Sequence, residues 1–568
     1  MNTMLALSAA GLAAFTVALP RVRARLQLSR AKHRSIHGHP RTSQRLARLV
    51  PFYEYGAERF FRSDRAPSEI AERRRAGFDR LACRLRDRAP ETIRLSEELE
   101  PSLSDLQFTQ AYRVPFQYRR LVMAHLKVGV LVSASSGVHV QDLDGNLAYD
   151  LTGSYGTNVF GYDFYKACTD AGIELVKCLG PVLGAYHPII ADNVARLKAV
   201  SGLDEVSFHM SGTEAVMQAV RLARYQTKRS HLVRFCGAYH GWWDGVQAGV
   251  GNPRAAHDVY TLKEQDEDTL RVLRTRRDIA CVLVNPLQSL HPNANAPGDA
   301  TLIGSDPRAQ VDRAAYARWL HQLREVCTAR SIVLIFDEVF VGFRIAYRGA
   351  QEYFGVAADM VTYGKTLGGG LPVGVLCGTH RLMKRFRDER PSDICFARGT
   401  FNSHPYVMGA MNEFLRRIDT PAARESYEAA DALWNQRARS LNARLADEGL
   451  PVQVLNLSSI WTIHYTTPSR YNWMFQYYLR AEGLALSWVG SGRLIFSHNY
   501  SAQDFEAVMS RFLAAASAMR KDGWWWSTPS LTNRSIRRQV LREMVAARFP
   551  RLSTAGRSWG LLRDDRVE

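Results

Sequence analysis

Short apolar runs separated by amphipathic stretches dominate the middle of this 568-residue chain. Runs rich in branched residues are typical of strands buried on both faces of a parallel sheet. Such runs occupy 206–209, 231–236, 280–284, 332–336 and 360–363. Stretches with helical periodicity, such as 192–200 and 216–225, alternate with them. The region 190–400 is therefore predicted to be an α/β fold, with a mainly parallel sheet flanked by helices.

The pattern changes on both sides of this region. Residues 50–100 have a charged, helical pattern, whereas 116–150 are predicted to form strands with a hairpin turn at Asp144-Gly145-Asn146. Residues 420–520 alternate between helical and strand patterns, which predicts a smaller α+β domain. We expect five regions: an apolar segment 1–20, a basic and largely helical extension 21–115, a large domain 116–415, a small α+β domain 416–520 and a basic Trp-containing extension 521–568.

Net charge is concentrated at the two ends of the chain. Residues 1–100 carry 20 Lys and Arg against 11 Asp and Glu, and residues 521–568 carry 10 against 5. These ends hold 14 of the 19 excess positive charges, so the middle is close to neutral. This distribution argues against a nucleic-acid groove in the large domain, and no nucleic-acid motif is present in the sequence.

Two terminal stretches suggest contact with a membrane, and each has an alternative. Residues 3–20 are apolar and are followed by nine Lys and Arg in 21–48. This order predicts a short membrane-inserted segment with the rest of the chain on the cytoplasmic face. The alternative is a poorly ordered or over-extended start of translation. Trp524–Trp526, beside the basic helical stretch 535–548, fits either a membrane interface or packing against the chain's own N-terminal region.

Cysteine and histidine positions predict neither disulfides nor a metal site. The eight Cys are scattered without a CxxC pair, and several lie in apolar runs, which is typical of free thiols in a reducing compartment. The His residues have no spacing that suits metal ligation. We therefore expect a cytoplasmic protein.

A carboxylate and a lysine each follow a predicted buried strand. Asp337-Glu338 ends the run 332–336, and Lys365 follows the run 360–363 and precedes the glycine-rich loop 368–372. Ligands bind at the carboxyl edge of open α/β sheets. One chemistry needs this pair: a lysine that forms a Schiff base with an aldehyde cofactor, and an aspartate that keeps a pyridine nitrogen protonated.

Two further segments predict parts of the same site. Ser211-Gly212-Thr213 lies between a strand and a helix, where free N–H groups and the helix dipole favour a phosphate. A simple helix cap is the alternative. Tyr239 and His240 follow the run 231–236, so an aromatic ring there could stack on a flat cofactor.

Five motifs in this order resemble class III, fold-type I pyridoxal-phosphate aminotransferases, with the glutamate-1-semialdehyde aminomutase-like branch the most similar. They are HMSGTEAVMQAVRLAR (209–224), GAYHGWWDG (237–245), LIFDEVFVGFR (334–344), DMVTYGKTLGGGLPVG (359–374) and GTFNSHP (399–405). The resemblance covers about 120–520. It implies a fold-type I enzyme that uses pyridoxal 5'-phosphate, and a homodimer with shared active sites.

The resemblance also implies roles for individual residues. Lys365 would carry the Schiff base, Asp337 would pair with the pyridine nitrogen, and Val339 and Tyr239 would pack on opposite ring faces. The remaining cofactor-binding residues would be Ser211, Gly212 and Thr213 at the phosphate, His240 beside the cofactor, and Thr400 at the phosphate of the neighbouring subunit. The chain departs from the family at Asn285-Pro286, where Glu-Pro is usual. Arg344 has no assigned role.

Three functions remain open at this point. The first is transamination between an amine or amino-acid donor and an aldehyde or ketone acceptor. A membrane-inserted N-terminus would place the site near the bilayer and so favour a lipophilic acceptor. The second is an intramolecular amino shift of the glutamate-1-semialdehyde type. The third is a catalytically silent membrane scaffold that kept the fold, for which Asn285 is an argument and the intact Lys365 and Asp337 are counter-arguments.

Overall fold

The computed structural model describes residues 19–33, 39–247, 249–252, 254, 257–287, 312–488 and 490–550. Within these ranges no helix has both the length and the apolar character needed to cross a membrane. The predicted membrane segment 3–20 lies outside them apart from residues 19 and 20, which belong to a helical stretch at 19–31. Membrane contact through this segment stays a prediction.

The strands of the described residues are numbered in chain order. They are β1 (Ala134–Ser136), β2 (His139–Gln141), β3 (Leu147–Asp150), β4 (Glu205–His209), β5 (His231–Phe235), β6 (Val259–Leu262), β7 (Ile279–Val284), β8 (Val333–Asp337), β9 (Met360–Gly364), β10 (Gly374–Gly378), β11 (Phe386–Arg387), β12 (Arg390–Ile394), β13 (Val452–Leu457), β14 (Ile460–Tyr465), β15 (Leu484–Ala485) and β16 (Leu494–Ile495).

The helices are numbered in the same way. They are α1 (Pro40–Ala47), α2 (Ala57–Phe61), α3 (Ser68–Arg88), α4 (Pro90–Leu99), α5 (Ser104–Tyr112), α6 (Arg119–His125), α7 (Tyr162–Val176), α8 (Ile189–Ser201), α9 (Gly212–Thr227), α10 (Glu267–Thr275), α11 (Arg313–Arg330), α12 (Gly349–Phe354), α13 (His380–Met383), α14 (Pro405–Ile418), α15 (Pro421–Asp447), α16 (Phe475–Ala481), α17 (Ala502–Lys521) and α18 (Asn533–Arg548).

A seven-stranded sheet forms the centre of the large domain, in the order β4-β10-β9-β8-β7-β5-β6. β9, β8, β7, β5 and β6 pair in parallel, and β10 runs antiparallel to both of its neighbours. Every residue of β7, β8 and β9 is buried. Helices cover both faces of the sheet, so these strands have continuous apolar runs instead of alternating patterns. The predicted mainly parallel sheet is confirmed.

The segment before the large sheet differs in part from its prediction. β2 and β3 form the expected hairpin around residues 142–146. Residues 119–125 are helical, however, and residues 126–132 have no regular secondary structure, so the predicted strands there were wrong. The N–H of Val130 donates to the Ser96 hydroxyl of α4 at 3.1 Å. This segment therefore forms a backbone hydrogen bond to a helix instead of pairing with a strand.

The N-terminal helices and the C-terminal part of the chain share one hydrophobic core. This cluster joins aromatic residues such as Phe60 and Phe78 to residues beyond 430, among them Trp434 and Trp473. Trp524 packs edge-on against Phe60, with ring centroids 6.4 Å apart. The described part of the Trp-containing tail therefore packs against the N-terminal region, as the second of its two interpretations expected. The exact domain boundaries stay predictions.

An ion-pair network fastens α18 to the N-terminal region. The Glu543 carboxylate accepts hydrogen bonds from the Tyr55 hydroxyl at 2.5 Å, from Arg59 at 2.9 Å and from Arg470 at 2.8 and 3.0 Å. Glu543 and Arg470 are both almost fully buried. Burial alone would raise the pKa of Glu543, but hydrogen bonding and charge from Arg470, with smaller contributions from Tyr55 and Arg59, lower it to about 2. The carboxylate is therefore ionised at neutral pH.

Candidate active site

Asp337 and Lys365 meet at the carboxyl edge of the large sheet. Asp337 is the last residue of β8, and Lys365 directly follows β9. The two strands are parallel neighbours, with Asp337 opposite Thr362, so both ends lie on one edge. A pocket of about 450 Å³ opens there. Its volume lies within the usual range of about 300–1,000 Å³ for small-molecule sites.

The pocket brings together all but one of the residues that the sequence singled out. Its lining contains Ser211, Gly212, Thr213, Tyr239, His240, Asp337, Val339 and Lys365. Thr400 is exposed in the turn after β12 and does not line this pocket. The individual roles of these residues, including that of Thr400 at a neighbouring subunit, stay predictions.

Asp337 is held in a fixed position at the floor of the pocket. Its Oδ2 lies 2.7 Å from Nδ1 of His240, and its Oδ1 accepts from the N–H of Val339 at 3.2 Å and from the Thr362 hydroxyl at 3.3 Å. Asp337 and His240 are both buried. A buried carboxylate with several donors is a rigid negative charge, which suits a cationic group bound beside it.

Lys365 occupies a constrained position beside Asp337. It begins a short 3₁₀ turn at Lys365–Gly368 with a φ of 46°, in the left-handed region that non-glycine residues rarely adopt. Burial lowers the pKa of Lys365; the negative charge of Asp337 opposes this shift, and the positive charges of Arg344 and Arg493 add to it. A lysine with a lowered pKa is a better nucleophile because more of it is the neutral amine.

The N-terminus of α9 forms one wall of the pocket. Ser211 caps this helix, with its hydroxyl accepting from the N–H of Glu214 at 3.3 Å. A Cβ on Gly212 would lie 2.6 Å from Val339, and a Cβ on Gly241 would lie 2.5 Å from the Thr213 hydroxyl. These two glycines let Val339 and the Tyr239–Gly241 turn approach the helix end closely. The remaining N–H groups and the dipole of a 16-residue helix favour an anion there.

The residues present fit pyridoxal phosphate. The helix end suits its phosphate, Asp337 suits a protonated pyridine nitrogen, and Lys365 suits its aldehyde. Two buried polar atoms of pocket-lining residues, Nε2 of His240 and Oδ1 of Asn285, have no hydrogen-bond partner among the described residues. Buried polar atoms are normally satisfied, so these two indicate a polar ligand. Tyr239 is 55% exposed and lines the pocket, where its ring could stack on the flat ring of the cofactor.

Arg344 and Glu338, which had no assigned role, are structural in this arrangement. Arg344 is fully buried and donates to the backbone carbonyls of Gly156, Asn158 and Phe496 at 2.8–3.2 Å. It therefore ties the loop before α7 to the small domain. Oε2 of Glu338 accepts from the N–H of Ala350 at 2.6 Å, at the start of α12. Burial raises the pKa of Glu338 to about 8, so this carboxyl group keeps its proton at neutral pH.

Sequence reasoning missed Phe340, which lines the pocket beside Lys365. Nζ of Lys365 lies 5.6 Å from the centroid of the Phe340 ring, and the guanidinium of Arg493 lies 5.7 Å from the same centroid. Gly156 makes room for this ring, since a Cβ there would lie 2.4 Å from it. Phe340 follows Asp337 by only three residues, and no periodic signal distinguishes it from a core residue.

Comparisons with known proteins agree with this geometry. Residues 122–515 match the family model for class-III aminotransferases, a range that contains every pocket residue named above. A curated relative, glutamate-1-semialdehyde 2,1-aminomutase from Citrifermentans bemidjiense, is 30% identical over 401 residues, which cover 66% of this chain and 86% of the relative.

Two solved structures have the same fold. A glutamate-1-semialdehyde-aminomutase from Pseudomonas aeruginosa PAO1 has a TM-score of 0.63 at 19% identity, covering 79% of this chain and 99% of that one. A transaminase with PLP bound has a TM-score of 0.58 at 27% identity, covering 70% of this chain and 92% of that one. Both likenesses extend over nearly the whole of the compared proteins.

Proposed function

The chain belongs to the class-III aminotransferase family, and from that membership we propose that it moves an amino group from an amine or amino-acid donor to an aldehyde or ketone acceptor. Its cofactor is pyridoxal phosphate, and its fold is fold-type I. The observation that carries the proposal is the convergence of Lys365 and Asp337 on one pocket, beside a helix end suited to phosphate. This pairing also argues against a catalytically silent scaffold.

Asp337 controls the charge at the floor of the pocket. The chemistry that pyridoxal phosphate supplies when bound is an aldehyde carbon that exchanges amines and a pyridine ring that accepts electron density. Asp337, with His240 fixing its orientation at 2.7 Å, holds a proton on the ring nitrogen by keeping a negative charge next to it. His240 acts through Asp337 and is a positioning residue.

Lys365 moves the proton during amino transfer. Its lowered pKa favours the neutral amine form of Nζ. In amino transfer Nζ would take the proton from the substrate carbon that bears the amino group and return it to the aldehyde carbon of the cofactor, on the other side of the amino nitrogen. The left-handed backbone conformation of Lys365 and the neighbouring ring of Phe340 restrict the positions of Nζ, which favours this return over loss of the proton to water.

Asn285 makes the substrate side of the pocket less negative than the family pattern implies. Its amide Nδ2 donates to the backbone carbonyl of Tyr239 at 3.4 Å, which leaves Oδ1 as the group available to a ligand. An amide oxygen accepts a hydrogen bond but carries no charge. Asn285 therefore serves as a neutral acceptor in our proposal, in place of an acid.

An intramolecular amino shift on an amino aldehyde is the second candidate, because the similar curated relative is named an aminomutase. The two reactions differ in one requirement. Transamination needs an external amino donor, whereas the intramolecular shift proceeds with a single substrate and cofactor already carrying the amino group. A dependence of turnover on an external donor decides for transamination, and turnover without one decides for the shift.

A half-reaction screen tests the proposal. The purified chain with pyridoxal phosphate is mixed with a panel of amines and amino acids, and the loss of the absorbance band of bound cofactor is followed. We expect at least one donor to discharge the band, and Lys365→Ala to slow this by at least about a hundredfold because the proton carrier is lost. Lys384→Ala, at an exposed lysine paired with Asp388, is the matched control.

Borohydride reduction followed by protein mass measurement tests whether the cofactor is attached to Lys365. Wild type and Lys384→Ala should gain the mass of one reduced cofactor, and Lys365→Ala should not. A Lys365→Ala protein that still gains this mass would contradict the assignment of Lys365. Cofactor binding with no discharge by any donor would instead support the silent scaffold.

A further inference from the structure

A second and larger cavity lies outside the candidate active site. It has a volume of about 620 Å³ and lies between the N-terminal helices α3–α5, the β1–β3 sheet and residues 480–488. Its volume falls in the range of about 300–1,000 Å³ that is usual for small-molecule sites. Leu85, Ile93, Leu106 and Leu484, all buried, contribute apolar surface to its walls.

Arg113 and Arg480 line this otherwise mainly apolar cavity with buried guanidinium nitrogens that have no hydrogen-bond partner among the described residues. Arg88 and Lys127 also line it, but Arg88 donates to the carbonyl of Ala481 at 3.0 Å and Lys127 pairs with Glu97. Arg113 is only 8% exposed, and its Nε and Nη1 have no hydrogen-bond partner among the described residues. Arg480 donates from Nη2 to the carbonyls of Leu486 and Ser487 at 3.0 and 2.8 Å, but its buried Nη1 has no partner there either. Neither arginine forms an ion pair within the described part of the chain.

Two of the three acidic residues in the cavity wall, Asp142 and Asp150, are engaged elsewhere, and the third, Asp105, is exposed in the first turn of α5. Asp150 accepts from Thr152 at 2.6 and 2.8 Å and from Tyr162 at 2.8 Å. Asp142 accepts from the backbone and side chain of Asn146 at 2.8 Å. These carboxylates stabilise the turns in which they lie. The wall therefore presents two cations whose charges are not neutralised by a neighbouring acid.

This arrangement is unfavourable without a ligand. Burial lowers the pKa of Arg113, and burial together with the positive charge of Arg113 lowers the pKa of Arg480 to about 9. Arg480 therefore still carries its charge at pH 7. Buried charges are normally paired, and unsatisfied buried donors cost free energy. A bound anion would offset this positive charge and accept hydrogen bonds from the three unpaired guanidinium nitrogens, and the apolar walls would cover the rest of its molecule.

We propose that this cavity binds an amphipathic carboxylate, with its carboxylate between Arg113 and Arg480 and its apolar chain along Leu85, Ile93 and Leu106. Guanidinium groups match the planar geometry of a carboxylate, which they bind with two parallel hydrogen bonds. A long apolar chain suits walls built from leucine and isoleucine better than a compact dianion such as phosphate does.

One turn links this cavity to the active site. Ser154 and Tyr155, with φ values of 44° and 56°, line this second cavity, and Thr157 in the same segment lines the active-site pocket. The two volumes are therefore neighbours, but a ligand of the second cavity needs no amino transfer to bind. Its binding can be measured without any turnover.

Isothermal titration calorimetry of the full-length chain with pyridoxal phosphate bound tests the proposal, using decanoate below its micelle concentration. We expect saturable binding of decanoate near one molecule per chain, and at least about tenfold weaker binding of decan-1-ol, which has the same chain and no charge. Equal affinity for the acid and the alcohol would overturn the proposal, and so would the absence of saturable decanoate binding.

Variants locate the binding site. Arg113→Gln should weaken decanoate binding at least about tenfold while leaving the unfolding temperature unchanged or raised, because its buried Nε and Nη1 have no hydrogen-bond partner among the described residues. Arg94→Gln, at an exposed arginine of α4, is the control and should bind as wild type does. Thr109→Trp, which fills the cavity from α5, gives an independent block if Arg113→Gln folds poorly.

Lys365→Ala separates this cavity from the active site. It should retain decanoate binding, since Lys365 does not line the cavity. Loss of binding in Lys365→Ala, with retention in Arg113→Gln and Thr109→Trp, would place decanoate in the active-site pocket and overturn the proposal. Decanoate binding by these variants does not depend on whether the enzyme turns over an amine. The proposed function and the proposed second site can therefore be refuted independently.

Discussion

Glu338 and its neighbour Asp337 have different surroundings. Asp337 faces the pocket with three hydrogen-bond donors around it, whereas Glu338 points into the protein at the start of α12. A Cβ on Gly349 would collide with the Glu338 carboxyl group, so the two positions are matched. With burial as the main cause, the pKa of Glu338 rises to about 8, and Asp337 adds to this shift.

Replacing Glu338 by Gln should remove one component of the pH dependence of stability. The folded pKa of about 8 lies above the ordinary value of 4.5, so the contribution to stability is complete below pH 4.5 and is lost as the pH rises towards 8. Glu338→Gln mimics the protonated acid at every pH. The free energy of unfolding, measured by thermal unfolding at pH 6 and pH 9, should therefore fall less between these pH values for Glu338→Gln than for wild type.

Glu98→Gln, at an exposed carboxylate, is the control and should follow wild type at both pH values. A loss of stability in Glu338→Gln that matches wild type would contradict a neutral Glu338. The size of the expected difference is on the order of a few kcal/mol.

At the residue scale, sequence patterns singled out Lys365, Asp337 and 211–213, which line one pocket, because each follows a strand of recognisable pattern. They could not assign Arg344 or Glu338, since the partners of both are mainly backbone groups distant in sequence. The carbonyl of Phe496, which Arg344 contacts, lies 152 residues away. Nor did they reveal Arg113, whose importance comes from the partners it lacks in a cavity made by three separate segments.

One buried carboxylate, Glu543, connects the helix α18 to the rest of the protein. Glu543→Gln would leave Arg470, which is 1% exposed, as a buried charge without its counter-ion. Removing one member of a buried pair costs about 3–5 kcal/mol. We expect Glu543→Gln to lower the free energy of unfolding by that amount in urea, and to expose α18 to proteolysis.

The exposed pair of Glu58 and Arg62 provides the matched control. Its atoms lie 3.8 Å apart, and Glu58→Gln should cost no more than about 1 kcal/mol. Equal effects of Glu543→Gln and Glu58→Gln would show that the buried network does not hold α18. Because the pKa of Glu543 is lowered, the wild-type contribution should disappear as the pH falls from 4.5 towards 2.

At the element scale, buried strands were predicted well because a parallel strand covered on both faces has a continuous apolar run. The reversed direction of β10 was not predictable, since a single sequence does not show which strands become neighbours. Residues 126–132 were predicted as strand because they are rich in Val and Leu. The backbone N–H of Val130 instead donates to Ser96 of α4. Local propensity cannot reveal a partner that is distant in sequence.

The whole molecule is predicted to be a homodimer in which Thr400 reaches the phosphate of the neighbouring subunit. Its exposed position outside the pocket of its own chain is compatible with this role. We expect Thr400→Ala to weaken cofactor binding by about tenfold, the effect of losing one hydrogen bond to a charged group. Light scattering coupled to size-exclusion chromatography should give the mass of two chains.

Mixing two variants tests whether the site is shared. Lys365→Ala and Thr400→Ala are combined under conditions that exchange subunits, at a cofactor concentration that saturates wild type but not Thr400→Ala. If Thr400 acts on the neighbouring subunit, half of the sites in the mixed dimer have both residues intact, and activity rises above that of Thr400→Ala alone. If Thr400 acts within its own chain, no site has both residues intact and activity does not rise, which would contradict the prediction.

The network at Glu543 also sets an order for biosynthesis. Tyr55 is separated from Glu543 by 488 residues, and at about 5–20 residues per second the ribosome needs roughly 25 to 100 seconds to complete that interval. The large sheet is built from residues made in the meantime and can form first. Phe60, which packs on Trp473, and Phe61, which packs on Trp524, lack these partners until almost the entire chain has been made. We therefore expect these N-terminal aromatic residues to stay accessible to chaperones until synthesis is nearly complete.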